Sequence, residues 1–464
     1  MTRSQKEQRE LARLEKDSNF HGHKHYFLIL LIVLTIVYIV DELASNVRST
    51  VDSFIICDLF NTTFGSPEFD KASGTLGLIT TGCYLIYLIS PFYKSLADKY
   101  GRRPFLIINT IGMGVGMLLS IISGSVVLFL VGTVILTFFT PNDAQVIYIM
   151  ECAPKEHRAK LCSITKGIAL ISVSLLGLFV KIFVNRDVPS SWRYVYIIPT
   201  VLAFLIGGAA IYFVRETPVF TQKRLKHLKM SEEERSQAEA DEKKSSQGGI
   251  SVFGAFKYIF TNKQTRAIAI VAILLAFSTG YTGKFQNMIE AGFSKGVITD
   301  SGSDIILMFY PLINGIFTLL GGFLTDSLGR KKSALILGLW AAVGLGVFAY
   351  GCYFDLNPYI TGFAYGFSIA GLWSISDMIY FIITSESTPT EIRASVVGSM
   401  QLLGMVGTGL NMVFNNVVTM IAGSLNLPLV LTASYLPLMA IALLIMMLKV
   451  KETKDIDLDK IEME

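Results

Sequence analysis

"LADKYGRRP", Leu96 to Pro104, places four charges between two long apolar runs, and a near copy, "LTDSLGRKK", follows at Leu324 to Lys332. Asp98, Gly101 and Arg102 recur as Asp326, Gly329 and Arg330, each 228 positions on. A second echo links "ECAPKEHRA" from Glu151 to "ESTPTEIRA" from Glu386. There Glu151, Pro154 and Arg158 recur as Glu386, Pro389 and Arg393, each 235 positions on. A third, weaker echo joins "RETP" at Arg215 to "KETK" at Lys451. Three echoes in one order at nearly one offset describe a chain made of two related halves.

The solvent of those halves is lipid. Of 464 residues, 52% are apolar and only 16% charged, too little charge for a water-covered surface of this size. About twelve apolar segments reach 18 or more residues, the length a helix needs to cross ~30 Å of hydrocarbon. Their lack of strict alternation argues against a β-barrel, the other way to satisfy a backbone in lipid. The expectation is an all-α membrane protein, with twelve transmembrane helices in two six-helix bundles related by internal pseudo-symmetry. Its parts are a tail over 1–25, a bundle over 26–214, a linker over 215–265, a bundle over 266–448 and a tail over 449–464. The linker carries "SEEERSQAEADEKKSSQGG", charged and without an apolar stripe.

The hydrophilic first 25 residues hold no charged-then-apolar pair of the signal-peptide kind. Most of the 40 Lys and Arg fall in the tails and in the loops on one side, which puts both termini in the cytoplasm and the chain in the cell membrane. Five scattered cysteines form no C-x-x-C, so neither a disulfide framework nor a metal is expected, and no cofactor. "GFSKG" at Gly292 has the spacing of a hydrolase elbow but lacks the strand-turn-helix that motif requires. No nucleophile–base constellation appears, and the chain reads as no enzyme and as no binder of nucleic acid. "HGHKHY" at His21 reads as an interfacial basic segment.

The loop stretches resemble the signature of the major facilitator superfamily, found between its helices 2 and 3 and again between 8 and 9. The paired E-x6-R motifs, "RETPVF" at Arg215 and "KETKDIDLDKI" at Lys451 are similar to those of the sugar-porter-like branch. That branch also holds organic-ion and metabolite:proton symporters. The resemblance implies two bundles rocking about a midplane site, with the charged loops as an inner gate. Carried onto this chain, the gate comprises Asp98, Gly101, Arg102, Arg103, Glu151, Arg158, Asp326, Gly329, Arg330, Glu386 and Arg393. The sugar-site patterns differ: the seventh span reads "STGYTGKFQNMIE", Ser278 to Glu290, and the tenth "GLWSISDMIYF", Gly371 to Phe381. The fourth span lacks the arginine that partners the coupling aspartate in sugar/proton symporters.

A charge at mid-bilayer costs roughly 2.5–3.5 kcal/mol on insertion scales, so each asks for a reason. In the first span Asp41, Ser45, Arg48 and Asp52 share one helical face, with Glu42 beside it. Asp41 or Glu42 is the expected proton acceptor, and Arg48 and Ser45 are expected to meet substrate. An Asp–Arg pair that only holds helices together is the alternative. Asp143 and Lys166 lie nearly equidistant from Pro154 and are expected at similar depth, as a salt bridge or a substrate contact. Their repeat counterparts are Asp377 and Gln401, which makes Asp377 a second protonation candidate. Lys284, Gln286 and Asn287 in the seventh span suit an anionic solute, unless Lys284 snorkels or pairs with Glu290. The functional expectation is a secondary transporter working by alternating access: proton-coupled symport of a small polar solute, leaning to an organic anion, with a sugar or polyol as the alternative. Its partners are that solute, protons and the bilayer, and one copy of the chain suffices. A membrane sensor that binds without transporting is the third reading.

Overall fold

A computed structural model of the chain describes residues 10–12, 14–17, 24–89, 93, 96–97, 100–140, 144–153, 158–230, 234, 252–389 and 392–454. Its helices run α1 (Lys24–Thr50), α2 (Asp52–Phe60), α3 (Pro67–Cys83), α4 (Arg102–Ile121), α5 (Val126–Phe139), α6 (Ala144–Cys152), α7 (Arg158–Ser172), α8 (Ser174–Phe183) and α9 (Arg193–Phe213). They continue as α10 (Pro218–Lys229), α11 (Val252–Thr261), α12 (Lys263–Ser278), α13 (Phe285–Ser294), α14 (Asp300–Leu328), α15 (Arg330–Tyr353), α16 (Pro358–Asp377), α17 (Arg393–Ala422) and α18 (Leu427–Lys449). Eleven stretches among the described residues are long and apolar enough to cross a membrane. The remaining expected span, 73–95, is met by α3 and the 3-10 turn Tyr84–Leu88, and its far end lies outside the described residues. The chain is a multi-pass helical membrane protein.

Local chemistry starts the helices. Thr217 caps α10 by accepting the N–H of Phe220, with Pro218 in the first turn, where its missing N–H costs nothing. Asn262, Thr299 and Asn357 cap α12, α14 and α16 in the same way. Several expected spans are not single helices. The first breaks at Val51, the fifth divides at Val173, and the seventh passes through a 3-10 stretch, Thr279–Lys284. The tenth leaves α16 through a π-helical turn, Met378–Ile383, directly after Asp377.

By compactness the chain forms two units. One comprises 1–47, 83–172 and 193–246. In it α4 packs on α5 and α9, and a Cβ added at Gly116 would stand 2.7 Å from the backbone nitrogen of Leu136, so only glycine permits this approach. The other comprises 48–82, 173–192 and 247–464. Its core is α14, α15 and α16 against each other, and α12 against α17 and α18. α8 joins this unit by crossing α14, where Gly177 lies against the backbone of Leu307.

Candidate functional site

Two repeat-related charge clusters stand at the helix starts that follow the opening motif. In the first unit, Gly101 has φ +102°, a conformation that residues with a Cβ rarely adopt, and α4 begins at the next residue. The Arg102 guanidinium reaches Glu151 at 3.2 Å. Glu216, from the "RETP" stretch, accepts the backbone N–H of Arg102 at 2.8 Å and that of Arg103 at 3.2 Å. A carboxylate at a helix N-terminus satisfies donors that have no intrahelical partner. Burial pushes the Glu216 carboxyl above its ordinary range, and the N–H groups of Thr217, Arg102 and Arg103 pull against that.

The second unit repeats the cluster. Gly329 has φ +87°, Arg330 meets Glu386 at 2.7 Å, and Glu452 accepts the N–H of Arg330 at 2.8 Å and of Lys331 at 3.0 Å. Thr453 donates to Glu386 at 2.6 Å. Glu452 is more open to solvent. Its modest burial raises the carboxyl, but four backbone donors outweigh it, and the group ends below its ordinary range. Arg393 donates to the carbonyl of Thr388. Asp98 and Asp143 lie outside the described residues, as do the side chains of Arg158 and Asp326. Glu216 and Glu452 were not among the expected gate residues, although the third echo in the sequence marks both.

Asp41 is buried in the first unit, where Gln145 of α6 donates to its Oδ2 at 2.9 Å. The two help line a small cavity with Asn109, Thr110, Thr140 and Phe139. Glu42 is half-buried, and Asn46 donates to its backbone carbonyl at 2.8 Å. Lys166 and Asp377 are half-buried, and Ser45 is exposed. Gln145 gave no signal in the sequence, because an amide in a helix is commonplace and its partner is 104 residues away.

The second unit holds the other polar cluster. α12 ends at Ser278, and the 3-10 stretch Thr279–Lys284 separates it from α13. Two asparagines of α17 tie this break down: Asn411 donates to the carbonyl of Ala276 at 2.9 Å and Asn415 to that of Gly280 at 2.6 Å. Irregular backbone at membrane depth is tolerated where side chains satisfy it in this way. Past the break, Lys284 donates to Ser73 of α3 at 3.2 Å, and Gln286 accepts the N–H of Ser53 at 2.9 Å. Asn287 has no solvent exposure, yet among the described residues neither its Oδ1 nor its Nδ2 has a hydrogen-bond partner, and Gln286 Nε2 also lacks one. Arg48 approaches Asp52 at 4.0 Å and donates to Thr80 at 3.3 Å.

Lys284 neither snorkels nor takes Glu290 as its partner. It is buried, and the Glu290 carboxylate is held by Arg186, which the sequence reading had not singled out. Arg186 also meets Asp300 at 2.6 Å, and its guanidinium lies 3.7 Å from the Phe293 ring centroid. Burial works against its charge, but the two carboxylates prevail and raise its pKa.

The model of the Major Facilitator Superfamily matches residues 29–412. The chain belongs to the major facilitator superfamily. The arabinose-proton symporter of Bacillus subtilis is 23% identical over 372 residues, covering 70% of this chain and 76% of that protein. A putative metabolite transport protein of the same bacterium, YwtG, is 26% identical over 400 residues, covering 80% and 82%. Among solved structures, the inward open xylose transporter XylE from E. coli superposes with a TM-score of 0.65 at 18% identity, covering 94% of this chain and 99% of that one. The protein is a membrane transporter of this superfamily. The break in the seventh span and the paired charge clusters thus lie in a transporter of this superfamily.

Proposed function

We propose that the chain is a proton-coupled symporter of a small polar solute, working by alternating access in the cell membrane with both termini in the cytoplasm. Asp41 carries the reading. It is a carboxylate buried in a membrane-spanning helix, bonded to the neutral amide of Gln145 and beside a small cavity of mixed lining. An ionisable group at such a place in a membrane helix is suited to take up and release one proton per cycle. Glu42 and Asp377 are the secondary candidates.

The solute site in this reading is the broken seventh span, where Lys284, Gln286 and Asn287 follow the 3-10 stretch, and Arg48, Ser45, Asp143 and Lys166 are the further candidates for substrate contact. Discontinuous helices place solute-binding groups at midplane in transporters. Arg102–Glu151 and Arg330–Glu386 form the inner gate, together with Asp98, Gly101, Arg103, Arg158, Asp326, Gly329 and Arg393. One copy of the chain completes the cycle, and its chemistry is translocation rather than catalysis. A neutral sugar is the second reading, favoured by the arabinose-proton symporter among the relatives.

The test uses proteoliposomes loaded with a pH-sensitive dye, with sugars, polyols and organic acids added outside. One solute class acidifying the lumen, with the acidification abolished in Asp41→Asn, supports the proposal. Tracer uptake without a pH change, in wild type and variant alike, makes the protein a uniporter or exchanger and removes Asp41 from the mechanism.

A further inference from the structure

The polar cluster after the helix-7 break holds more charge and more hydrogen-bonding capacity than the protein itself uses. Lys284 is buried, and its ammonium, with three donors, makes one hydrogen bond among the described residues, to the neutral Ser73 hydroxyl. Asp52, the carboxylate that acts on it, also faces Arg48. A buried ammonium without a directly bonded counter-charge is costly. One helical turn on, on the same face, Asn287 is fully buried, and among the described residues its donor and its acceptor are both unpartnered. Such an amide asks for a group that both accepts and donates. Gln286 Nε2 beside it asks for an acceptor. Native proteins rarely leave buried polar atoms in this state unless something else occupies the site.

We propose that this site takes a hydroxy-monocarboxylate: the carboxylate on Lys284 and the Gln286 amide, and a hydroxyl on Asn287, which donates to it through Nδ2 and accepts from it through Oδ1. The buried ammonium selects the class: a single carboxylate gives it the directly bonded counter-charge that a neutral polyol does not. This deepens the transport reading and rests on it for one consequence. A monoanion carried with one proton moves no net charge, so uptake responds to a pH gradient and not to membrane potential.

The test begins with binding, using purified full-length protein and thermal unfolding. The probes are matched pairs that differ only in the acid group: gluconate and glucitol, glucuronate and glucose, lactate and 1,2-propanediol. An acid is expected to stabilise the protein at concentrations about tenfold or more below its neutral partner, the scale of one charge-assisted hydrogen bond. Lys284→Met, close in volume and apolar, is expected to remove that preference while the unliganded protein still unfolds cooperatively. Should Lys284→Met not fold, Gln286→Glu keeps the acceptor for Ser53, sets a negative charge against the incoming carboxylate and is expected to give the same loss. A neutral member binding as tightly as its acid, an acid series with no binder, or an acid preference retained in the variant overturns the proposal. In proteoliposomes a neutral sugar that acidifies the lumen would leave proton coupling standing and remove the carboxylate. An acid that binds and is taken up without acidification would do the reverse.

Discussion

Glu216 accepts the backbone N–H of Arg102 at 2.8 Å, and Glu452 accepts that of Arg330 at the same distance. Related sequences thus build one device twice, and the balance of burial against backbone donors sets the two carboxylates on opposite sides of their ordinary pKa. Glu216 is raised, so the folded state favours its proton more than the unfolded state does. Its titration stabilises the fold below the ordinary glutamate pKa, and that stability is lost as pH rises through the raised value. Glu452 is lowered, so its contribution is present above the ordinary value and lost as pH falls through the lowered one. Thermal unfolding between about pH 4 and pH 7 should show this directly. The advantage of wild type over Glu452→Gln shrinks on acidification, whereas its advantage over Glu216→Gln grows. Equal slopes would mean the two sites are electrostatically alike.

Gly101 offers a steric test of the same device. A Cβ there would sit 2.3 Å from Glu216 Oε2, on a backbone with φ +102°. Gly101→Ala should cost about 1–3 kcal/mol, the scale for strained backbone. Gly398 of α17 has open space around its Cβ direction and lies within a helix, so Gly398→Ala should be neutral or stabilise by up to ~1 kcal/mol. A pair of melting curves decides it, and equal shifts would remove the steric argument.

Arg186 and Glu290 form an ion pair in which the carboxylate is 6% exposed. Removing only the cation leaves a buried charge, which costs about 3–5 kcal/mol in fully buried cases. Arg186 is partly exposed, so Arg186→Gln should fall toward the lower end of that range. Arg186→Gln with Glu290→Gln should recover most of the loss, because no charge is then stranded. Additive losses in the double variant would show that the pair contributes through packing, as by the Phe293 stacking, rather than through charge.

What the sequence disclosed follows the range of the interactions. Gly101, Arg102, Glu151 and their counterparts could be read because fixed local spacing is repeated in both halves. Lys284 and Asn287 could be read because polar groups inside an apolar run are costly. Arg186, Gln145 and the capping role of Glu216 could not, since each depends on a partner 104 to 114 residues away, chosen by tertiary packing. The break after Ser278 lies between those cases. "TGYTGK" places two glycines inside an otherwise helical run, a signal of weakened helix, but only the asparagines of α17 settle that the chain turns to 3-10 geometry there.

Asp41 tests the coupling most directly, because its substitution separates proton movement from solute movement. Asparagine has the same shape and still offers an oxygen to Gln145 Nε2, so Asp41→Asn should fold with a melting temperature close to wild type. It cannot gain or lose a proton. Net uptake driven by a pH gradient should therefore fall by at least tenfold, while counterflow exchange of labelled for unlabelled solute continues, since exchange needs no change in protonation. Gln145→Leu should act differently. It leaves the carboxyl in place but strips the donor that meets its Oδ2, so the pH dependence of uptake should change. Loss of exchange together with net uptake in Asp41→Asn would assign Asp41 to solute binding. An unchanged pH profile in Gln145→Leu would make the amide a packing partner rather than a tuner of the proton site.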